Sequence, residues 1–178
     1  MFVALELPQA VRERLAVWRD AALAARGDLR PVGADALHVT LVFLGWQDES
    51  AVEAIAAAAF ATGLAGSPPR LTPAGVRALP PRSPRLFALE LDDEDGRAGA
   101  LQGAISDALA AGRWYRPEKR PFWPHITLAR VKRGERRAPP PACEPPAPEP
   151  FEPEFLTLYR STLRPQGALY EPLARRPV

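Results

Sequence analysis

The alternation of apolar and polar positions predicts short strands separated by helices. Residues 2–7 form an almost wholly apolar run, which favours a buried strand. Pro8 suits the first turn of a helix, and apolar residues then recur at helical spacing until Gly27. Residues 37–44 alternate in the manner of a second strand, which Gly45 closes. The opening of the chain therefore predicts a β-α-β unit.

The same pattern occurs again in the second half of the chain. Ala-Leu-Glu-Leu at residues 4–7 recurs at residues 88–91, and His-Val-Thr-Leu at residues 38–41 recurs as His-Ile-Thr-Leu at residues 125–128. The two offsets are 84 and 87 residues, so both motifs keep their order and nearly their separation. Because two motifs repeated at nearly one offset indicate a duplication, we expect two related β-α-β halves.

Further elements complete each predicted half. An acidic run at residues 92–95 favours the start of a helix in the second half. Ser50 and Glu53 have the spacing of a capping box for an additional helix in the first half. Residues 138–153 contain eight prolines, which predicts a surface loop. Additional strands are expected at residues 71–79, 154–163 and 168–170.

Together these elements predict an α+β fold of duplicated β-α-β units. The halves are expected to form a single bilobal domain over residues 1–178, with one lobe at about residues 1–80 and the other at about residues 81–178. An approximate two-fold axis would relate the lobes, and mixed or antiparallel sheets would line a central cleft. No flexible linker is expected between them.

Each histidine motif places two polar side chains on one face of a predicted strand. Successive side chains point to opposite faces, so His38 and Thr40 share a face, as do His125 and Thr127. The same alternation puts Val42 on the His38 face. The opposite faces are expected to fill the core with Leu37, Val39, Leu41, Phe43, Ile126 and Leu128.

Two imidazoles that face each other across a cleft can hold one phosphate group. Opening a cyclic phosphate with water needs a base for the water and an acid for the departing oxygen on the opposite side of phosphorus. Histidine, with an ordinary pKa of about 6.5, can serve as either. Threonine hydroxyls and a nearby arginine would stabilise the charge that develops on the phosphate oxygens.

A lone His-x-Thr sequence on a strand is ordinarily a polar face of a sheet. Here the chain has two histidines, and both occupy the same motif at equivalent points of the duplication. A structural histidine has no reason to be placed in this way. The pattern therefore favours a catalytic pair.

Basic residues are concentrated in one segment, although the net charge is only +2. Residues 113–137 hold nine basic and two acidic residues, with Trp114, Tyr115, Phe122 and Trp123 between them. Guanidinium groups bind phosphates and aromatic rings stack on bases, so the segment predicts contacts with single-stranded nucleic acid. A solvated charged loop is the alternative interpretation.

Cysteine content and hydropathy bear on the class of protein. Cys143 is the one cysteine, so no intramolecular disulfide can form. Two histidines fall short of the three or four protein ligands that zinc usually takes. No apolar run approaches the ~20 residues of a membrane span, and the N-terminus lacks the features of a secretory signal. We therefore expect a cytoplasmic protein that uses no metal and binds no membrane.

At its paired motifs the chain resembles the 2H phosphoesterase superfamily, which is defined by two His-x-(Thr/Ser)-x motifs. More narrowly, it is similar to the RNA 2',3'-cyclic phosphodiesterases historically called 2'-5' RNA ligases. The resemblance covers essentially the whole chain and is most specific at Pro-His-Ile-Thr-Leu-Ala-Arg, residues 124–130. It also includes residues 2–7, 37–45 and 158–167.

The resemblance implies a bilobal fold with a positively charged cleft, no cofactor, and hydrolysis of RNA 2',3'-cyclic phosphate ends to 2'-phosphate ends. It implies that His38 donates a proton to the leaving 3' oxygen and that His125 accepts one from water. The residues themselves leave this order open. Thr40, Thr127 and Arg130 would bind the phosphate or RNA. RNA with a cyclic phosphate end is the expected partner, tRNA fragments are one candidate, and a monomer is expected.

Two positions depart from the pattern of the family. Val42 is apolar where some relatives carry a basic residue, so one phosphate contact is missing or is supplied elsewhere. Strand parity places Arg130 with Ile126 and Leu128, away from His125. Arg130 reaches the cleft only if the strand bends or ends near Ala129.

Alternative functions remain open at this point. Within the superfamily, the same site could act on a small cyclic phosphate of the ADP-ribose type. It could also form 2'-5' linkages, with a ribose 5'-hydroxyl in place of water. A different class of protein, an RNA-binding module without catalysis, would explain the basic and aromatic segment but not the paired histidines.

Overall fold

A computed structural model describes residues 1–61, 67–132, 134–135, 143–164 and 167–178. Within these ranges the chain forms an α+β fold of eight strands and three α-helices. The strands are β1 (Phe2–Glu6), β2 (Leu29–Pro31), β3 (His38–Phe43), β4 (Leu71–Leu79), β5 (Leu86–Asp93), β6 (His125–Val131), β7 (Phe155–Arg164) and β8 (Gly167–Pro177). The helices are α1 (Gln9–Ala22), α2 (Val52–Ala61) and α3 (Arg97–Ala111).

All eight strands belong to one sheet. The order along the sheet is β4-β5-β6-β3-β1-β7-β8, and β2 pairs with β6 beside β3. Every strand pairing is antiparallel. The two histidine strands, β3 and β6, meet at the centre of this order, where Val39 pairs with Ile126.

Strand pairing crosses the boundary that the sequence suggests between the halves. β4, from the first half, pairs with β5, and β7, from the second half, pairs with β1. On each side of the two histidine strands, the neighbouring strands therefore come from both halves of the chain. The division into lobes at about residues 1–80 and 81–178 stays a prediction.

The core lies on one face of the sheet, beneath the helices. Leu15 of α1, Ile55 of α2 and Ile105 of α3 are buried in one cluster with alternate residues of the strands, such as Val39 and Ile126. Because side chains alternate along a strand, the histidines and threonines of β3 and β6 point to the opposite face. The core therefore occupies one face of the sheet, and the candidate catalytic side chains lie on the other face.

The helix starts agree only in part with the sequence. The acidic run does start a helix: the carboxylate of Asp93 accepts bonds from the backbone N–H groups of Ala98 (3.1 Å) and Gly99 (2.8 Å) in the first turn of α3. The predicted capping box of Ser50 and Glu53 is wrong. Asp48 caps a short 3₁₀ turn before α2 by accepting from the N–H of Ser50, and the Ser50 hydroxyl also donates to this carboxylate.

The described part of the proline-rich segment is fastened to the body of the protein. Glu149 forms an ion pair with Arg14 at 2.7 Å, and Phe151 is buried and pairs with Leu71. Residues 143–153 form no helix or longer strand, as the five prolines of this stretch predict. Residues 138–142 lie outside the described residues. In the described ranges, no helix is long and apolar enough to cross a membrane.

Candidate active site

The two histidines begin the two central strands. Because β3 and β6 are antiparallel around the pair Val39 and Ile126, His38 lies opposite Thr127 and Thr40 lies opposite His125. The four polar residues therefore share one face of the sheet, with the histidines at diagonal positions. Diagonal neighbours on adjacent strands are about 7 Å apart, which leaves room for one phosphorus centre between two imidazoles.

The same hydrogen bond orients both imidazoles. Nδ1 of His38 lies 2.8 Å from the carbonyl oxygen of Ala36, and Nδ1 of His125 lies 2.8 Å from that of Trp123. A carbonyl oxygen only accepts, so each Nδ1 carries the proton and each Nε2 is the nitrogen left for chemistry. Nε2 of His38 lies 3.1 Å from the hydroxyl oxygen of Thr40.

An extra residue changes the face of each histidine strand just after its threonine. In the pairing of β3 with β1, the register shifts so that Leu41 has no partner. In the pairing of β6 with β5, the same happens at Leu128. Such a β-bulge re-aims every side chain beyond it.

The bulge in β3 overturns two expectations. Val42, predicted on the His38 face, is only 1% exposed and belongs to the core. Phe43, predicted in the core, is 62% exposed and lies beside His38 and Thr40 at a cavity wall. Strict alternation fails here because Leu41 and Val42 both face inward.

The bulge in β6 brings Arg130 to the histidines. Leu128 and Ala129 are both buried, so Arg130 takes the side of Thr127 and not that of Ile126. This is the bend near Ala129 that Arg130 needs in order to reach the cleft. Phe43 and Arg130 thus occupy equivalent places, five residues after each histidine.

Two cavities open on either side of Thr40. The His38 cavity, of about 330 Å³, is lined by His38, Thr127 and Arg130 among others. The His125 cavity, of about 410 Å³, is lined by His125 and by four aromatic side chains. Thr40 and Phe43 line both cavities. The aromatic side chains of the His125 cavity are Phe43, Tyr115, Phe122 and Trp123.

Burial lowers the pKa of both histidines. The pKa of His38 falls to about 4, chiefly because its ring is enclosed, with a smaller contribution from the positive charges of His125 and Arg130. The hydrogen bond to Ala36 and the charge of Glu6 act in the opposite direction. Burial also lowers the pKa of His125, against the hydrogen bond to the Trp123 carbonyl. Both imidazoles are therefore neutral in the free protein at neutral pH.

A carboxylate from each Ala-Leu-Glu-Leu motif lies next to each histidine in the sheet. Glu6 of β1 pairs with His38, and Glu90 of β5 pairs with His125. Each carboxylate also forms an ion pair with an arginine, Arg175 in the first case (2.8 Å) and Arg77 in the second (2.7 Å). The repeated glutamates thus flank the two histidines in equivalent places.

Each carboxylate holds an aromatic side chain near its histidine. Glu90 accepts a hydrogen bond from Nε1 of Trp123 at 2.9 Å, and the Trp123 ring stacks on His125 with centroids 4.3 Å apart. Glu6 accepts from the hydroxyl of Tyr159 at 2.8 Å, and that ring lies 6.2 Å from His38. Burial raises the pKa of Tyr159, and the hydrogen bond to Glu6 raises it further, so the phenol remains a donor.

Comparison with known proteins agrees with this site. A family model described as the 2'-5' RNA ligase superfamily matches residues 7–161. The chain belongs to this superfamily. An RNA 2',3'-cyclic phosphodiesterase of Escherichia coli is 30% identical, over 98% of this chain and 94% of the relative. One of Thermus thermophilus is 31% identical, over 98% of this chain and 88% of the relative.

Solved structures of the superfamily have the same fold. A crystal structure of a Thermus thermophilus protein has a TM-score of 0.79 and 28% identity, covering 98% of this chain and 94% of the other. Escherichia coli LigT complexed with 3'-AMP has a TM-score of 0.75 and 29% identity, covering 99% of this chain and 96% of LigT. The resemblance to RNA 2',3'-cyclic phosphodiesterases and the α+β fold are thereby confirmed.

Some neighbours of the histidines and threonines were not predicted from the sequence. Phe43 was missed because the bulge is not visible in the sequence. Glu6 and Glu90 belong to a repeat that was recognised but not assigned to the site, although their common offset with the histidines was the available signal. In the described ranges, no group of three or more potential metal ligands lies together.

Proposed function

We propose that the protein hydrolyses 2',3'-cyclic phosphate ends of RNA to 2'-phosphate ends, with His38 as proton donor and His125 as proton acceptor. One observation carries this proposal: two imidazoles, each fixed through Nδ1, present Nε2 from diagonal positions of neighbouring strands. The named relatives support it, since they are RNA 2',3'-cyclic phosphodiesterases.

The geometry supports an in-line displacement at phosphorus. Nε2 of His125 takes a proton from water as the water oxygen bonds to phosphorus. The bond from phosphorus to the 3' oxygen breaks on the opposite side, and Nε2 of His38 gives its proton to that oxygen. Thr40, Thr127 and Arg130 would stabilise the charge on the non-bridging oxygens.

The electrostatic surroundings support the donor role of His38. Because burial lowers its pKa to about 4, the donor role needs partners that favour the imidazolium. Glu6 favours the protonated form, and a bound phosphate anion will act in the same direction because opposite charges stabilise each other. The free protein therefore holds a neutral His38 that gains its proton in the presence of the substrate.

Ligand complexes of a relative support a nucleotide in this cleft. LigT of Escherichia coli has been crystallised with phosphate, with 3'-AMP and with ATP. Here the His38 cavity joins a histidine, two threonines and three arginines to aromatic walls formed by Phe2, Phe43 and Tyr170. This combination suits a phosphate that carries a nucleoside. Cytoplasmic location, a monomeric state and tRNA fragments as substrate stay predictions.

A second candidate reaction is ligation through a 2'-5' linkage. In-line attack places the nucleophile on the His125 side, and the His125 cavity has the volume and aromatic lining to receive a nucleoside there. The 5'-hydroxyl of that nucleoside would replace water, and the proton transfers would otherwise be the same.

The direct test is a cleavage assay in excess EDTA on an oligonucleotide that ends in a 2',3'-cyclic phosphate. The expected product has a 2'-phosphate end. A 3'-phosphate product would contradict the assigned leaving group. No turnover of the oligonucleotide or of a nucleoside 2',3'-cyclic phosphate would contradict the function itself.

A further inference from the structure

A third cavity adjoins the reaction centre and is lined mainly by basic side chains. This basic cavity, of about 690 Å³, is bounded by Arg30, Arg85, Lys132 and Arg164, and Glu135 is the one acidic residue among its described lining residues. Arg30 and Arg164 also line the His38 cavity. The two cavities therefore adjoin at these two arginines, and cationic groups extend from the His38 cavity in one direction.

Four strands bring these residues together from distant parts of the sequence. Arg30 lies on β2 directly opposite Arg130 of β6. Arg85 precedes β5, and its carbonyl oxygen accepts from the N–H of Val131 at 2.9 Å. Lys132 follows β6, and Arg164 ends β7. The ends of these strands converge on one side of the site.

Three cations of the basic cavity, Arg85, Lys132 and Arg164, are available to a ligand. In the described ranges, no ion pair involves Arg85, Lys132 or Arg164. These three residues are exposed. The nearby carboxylate of Asp28 is held by Arg26 through two bonds of 2.8 Å, and the charge of Lys132 makes only a smaller contribution to the lowered pKa of Asp28.

The opposite side of the site lacks this concentration of charge. The His125 cavity is lined mainly by aromatic and apolar groups, and its Arg120 lies 3.6 Å from Glu118 of the same cavity. Arg116 and Lys119 line none of the three cavities. Within residues 113–137, Arg130 and Lys132 therefore face the His38 cavity and the basic cavity, whereas Arg116 and Lys119 do not.

We propose that the basic cavity binds the phosphodiester backbone on the 5' side of the terminal cyclic nucleotide. This inference rests on the proposed function. With the cyclic phosphate between the histidines and its nucleoside in the His38 cavity, the preceding phosphates pass Arg30 and Arg164 toward Arg85 and Lys132. Guanidinium and ammonium groups bind phosphates through charge-assisted hydrogen bonds. The occupant is single-stranded RNA, and a mononucleotide leaves this cavity empty.

The test compares two double variants on two substrates. Arg85→Ala with Lys132→Ala removes two cations from the basic cavity, and Arg116→Ala with Lys119→Ala removes the same two residue types from exposed positions outside it. kcat/KM is measured on a trinucleotide with a 2',3'-cyclic phosphate end and on a nucleoside 2',3'-cyclic phosphate. Circular dichroism checks that each variant folds.

We expect the first variant to lose about tenfold in kcat/KM on the trinucleotide and to keep the wild-type value on the mononucleotide. The control variant should keep both values. The slope of log kcat/KM against log salt concentration should become less steep by about 0.7 for each phosphate that the variant no longer binds.

Other results would overturn the inference while leaving the reaction in place. An unchanged ratio of trinucleotide to mononucleotide activity in the first variant would show that the cavity binds no upstream phosphate. An equal loss on both substrates would assign its cations to the reaction centre. Wild-type protein that turns over neither substrate would instead contradict the proposed function.

Discussion

The enclosed, neutral state of His38 has a measurable cost to stability in acid. Phe2 and Tyr170 lie against its ring, with centroids 4.9 and 5.1 Å away, and burial lowers its pKa to about 4. In the unfolded chain a histidine has a pKa of about 6.5. Between these two values the unfolded chain binds the proton and the folded protein does not.

The sign of the effect follows from this difference. Protons favour the unfolded state, so the free energy of unfolding falls as pH drops below about 6.5, and the loss is complete below a pH of about 4. Between pH 7 and pH 5, linkage gives a loss of about 2 kcal/mol from His38 alone. Titration of the carboxylates also lowers the free energy of unfolding. This contribution is the same in the wild type and in a variant that keeps all carboxylates.

The perturbation is His38→Gln, which removes the ionisable group and keeps a polar side chain. Urea unfolding followed by tryptophan fluorescence gives the free energy of unfolding at pH 7 and pH 5 for both proteins. The wild type should lose about 2 kcal/mol more than the variant over this interval. His125→Gln provides the comparison at the other histidine, whose pKa is also lowered. Equal pH dependence in wild type and His38→Gln would refute the enclosed neutral His38.

Three further predictions concern the site and its supports. His38→Ala and His125→Ala should each lower kcat/KM by at least about a hundredfold, because each removes a proton-transfer group; a variant with most of its activity would contradict the paired roles. Trp123→Leu should lower kcat/KM without changing the affinity for substrate, because His125 loses the ring stacked on it, whereas a change confined to KM would assign Trp123 to binding. Glu6→Gln should lower the free energy of unfolding by about 1–3 kcal/mol, because the ion pair with Arg175 is lost from a buried position; an unchanged urea midpoint would show that this network contributes nothing to stability.

The sequence predicts regular elements well where pattern and turn residues agree. The strand expected at residues 71–79 is β4, with the same limits, and the strand expected at residues 37–44 is β3 within one residue at each end. β2 was not predicted, because three residues that end in a proline carry no alternation. The pairing of β4 with β5 could not be predicted from the sequence either, since strand order depends on packing between distant segments.

In the candidate site, too, some features could be predicted from the sequence and others could not. Alternation over two residues predicts that His38 and Thr40 share one face of their strand, and that His125 and Thr127 share one face of theirs. The structure agrees with both predictions. Alternation fails at the next step, because one unpaired residue in each strand reverses the face of all that follow. Arg130 therefore joins the cleft against strand parity. A bulge arises from how two strands pair, and a single strand sequence does not display it.

The repeated glutamates are visible in the sequence, but their place beside the histidines is visible only in the structure. As sequence, Ala-Leu-Glu-Leu indicates a duplicated strand and no more. In the sheet, Glu6 and Glu90 lie beside the two histidines, each with an arginine and an aromatic side chain. The duplication therefore extends to the groups that support each imidazole.

The central claim is that both imidazoles act on one phosphate. Because the chain has two histidines, protein labelled with ¹⁵N-histidine gives two imidazole signals that can be titrated separately, with His38→Gln used for assignment. Adding adenosine 2'-phosphate, which mimics the product end, should shift both Nε2 signals and raise both pKa values, while each Nδ1 keeps its proton. A response from one histidine alone, or from neither, would contradict the shared phosphate.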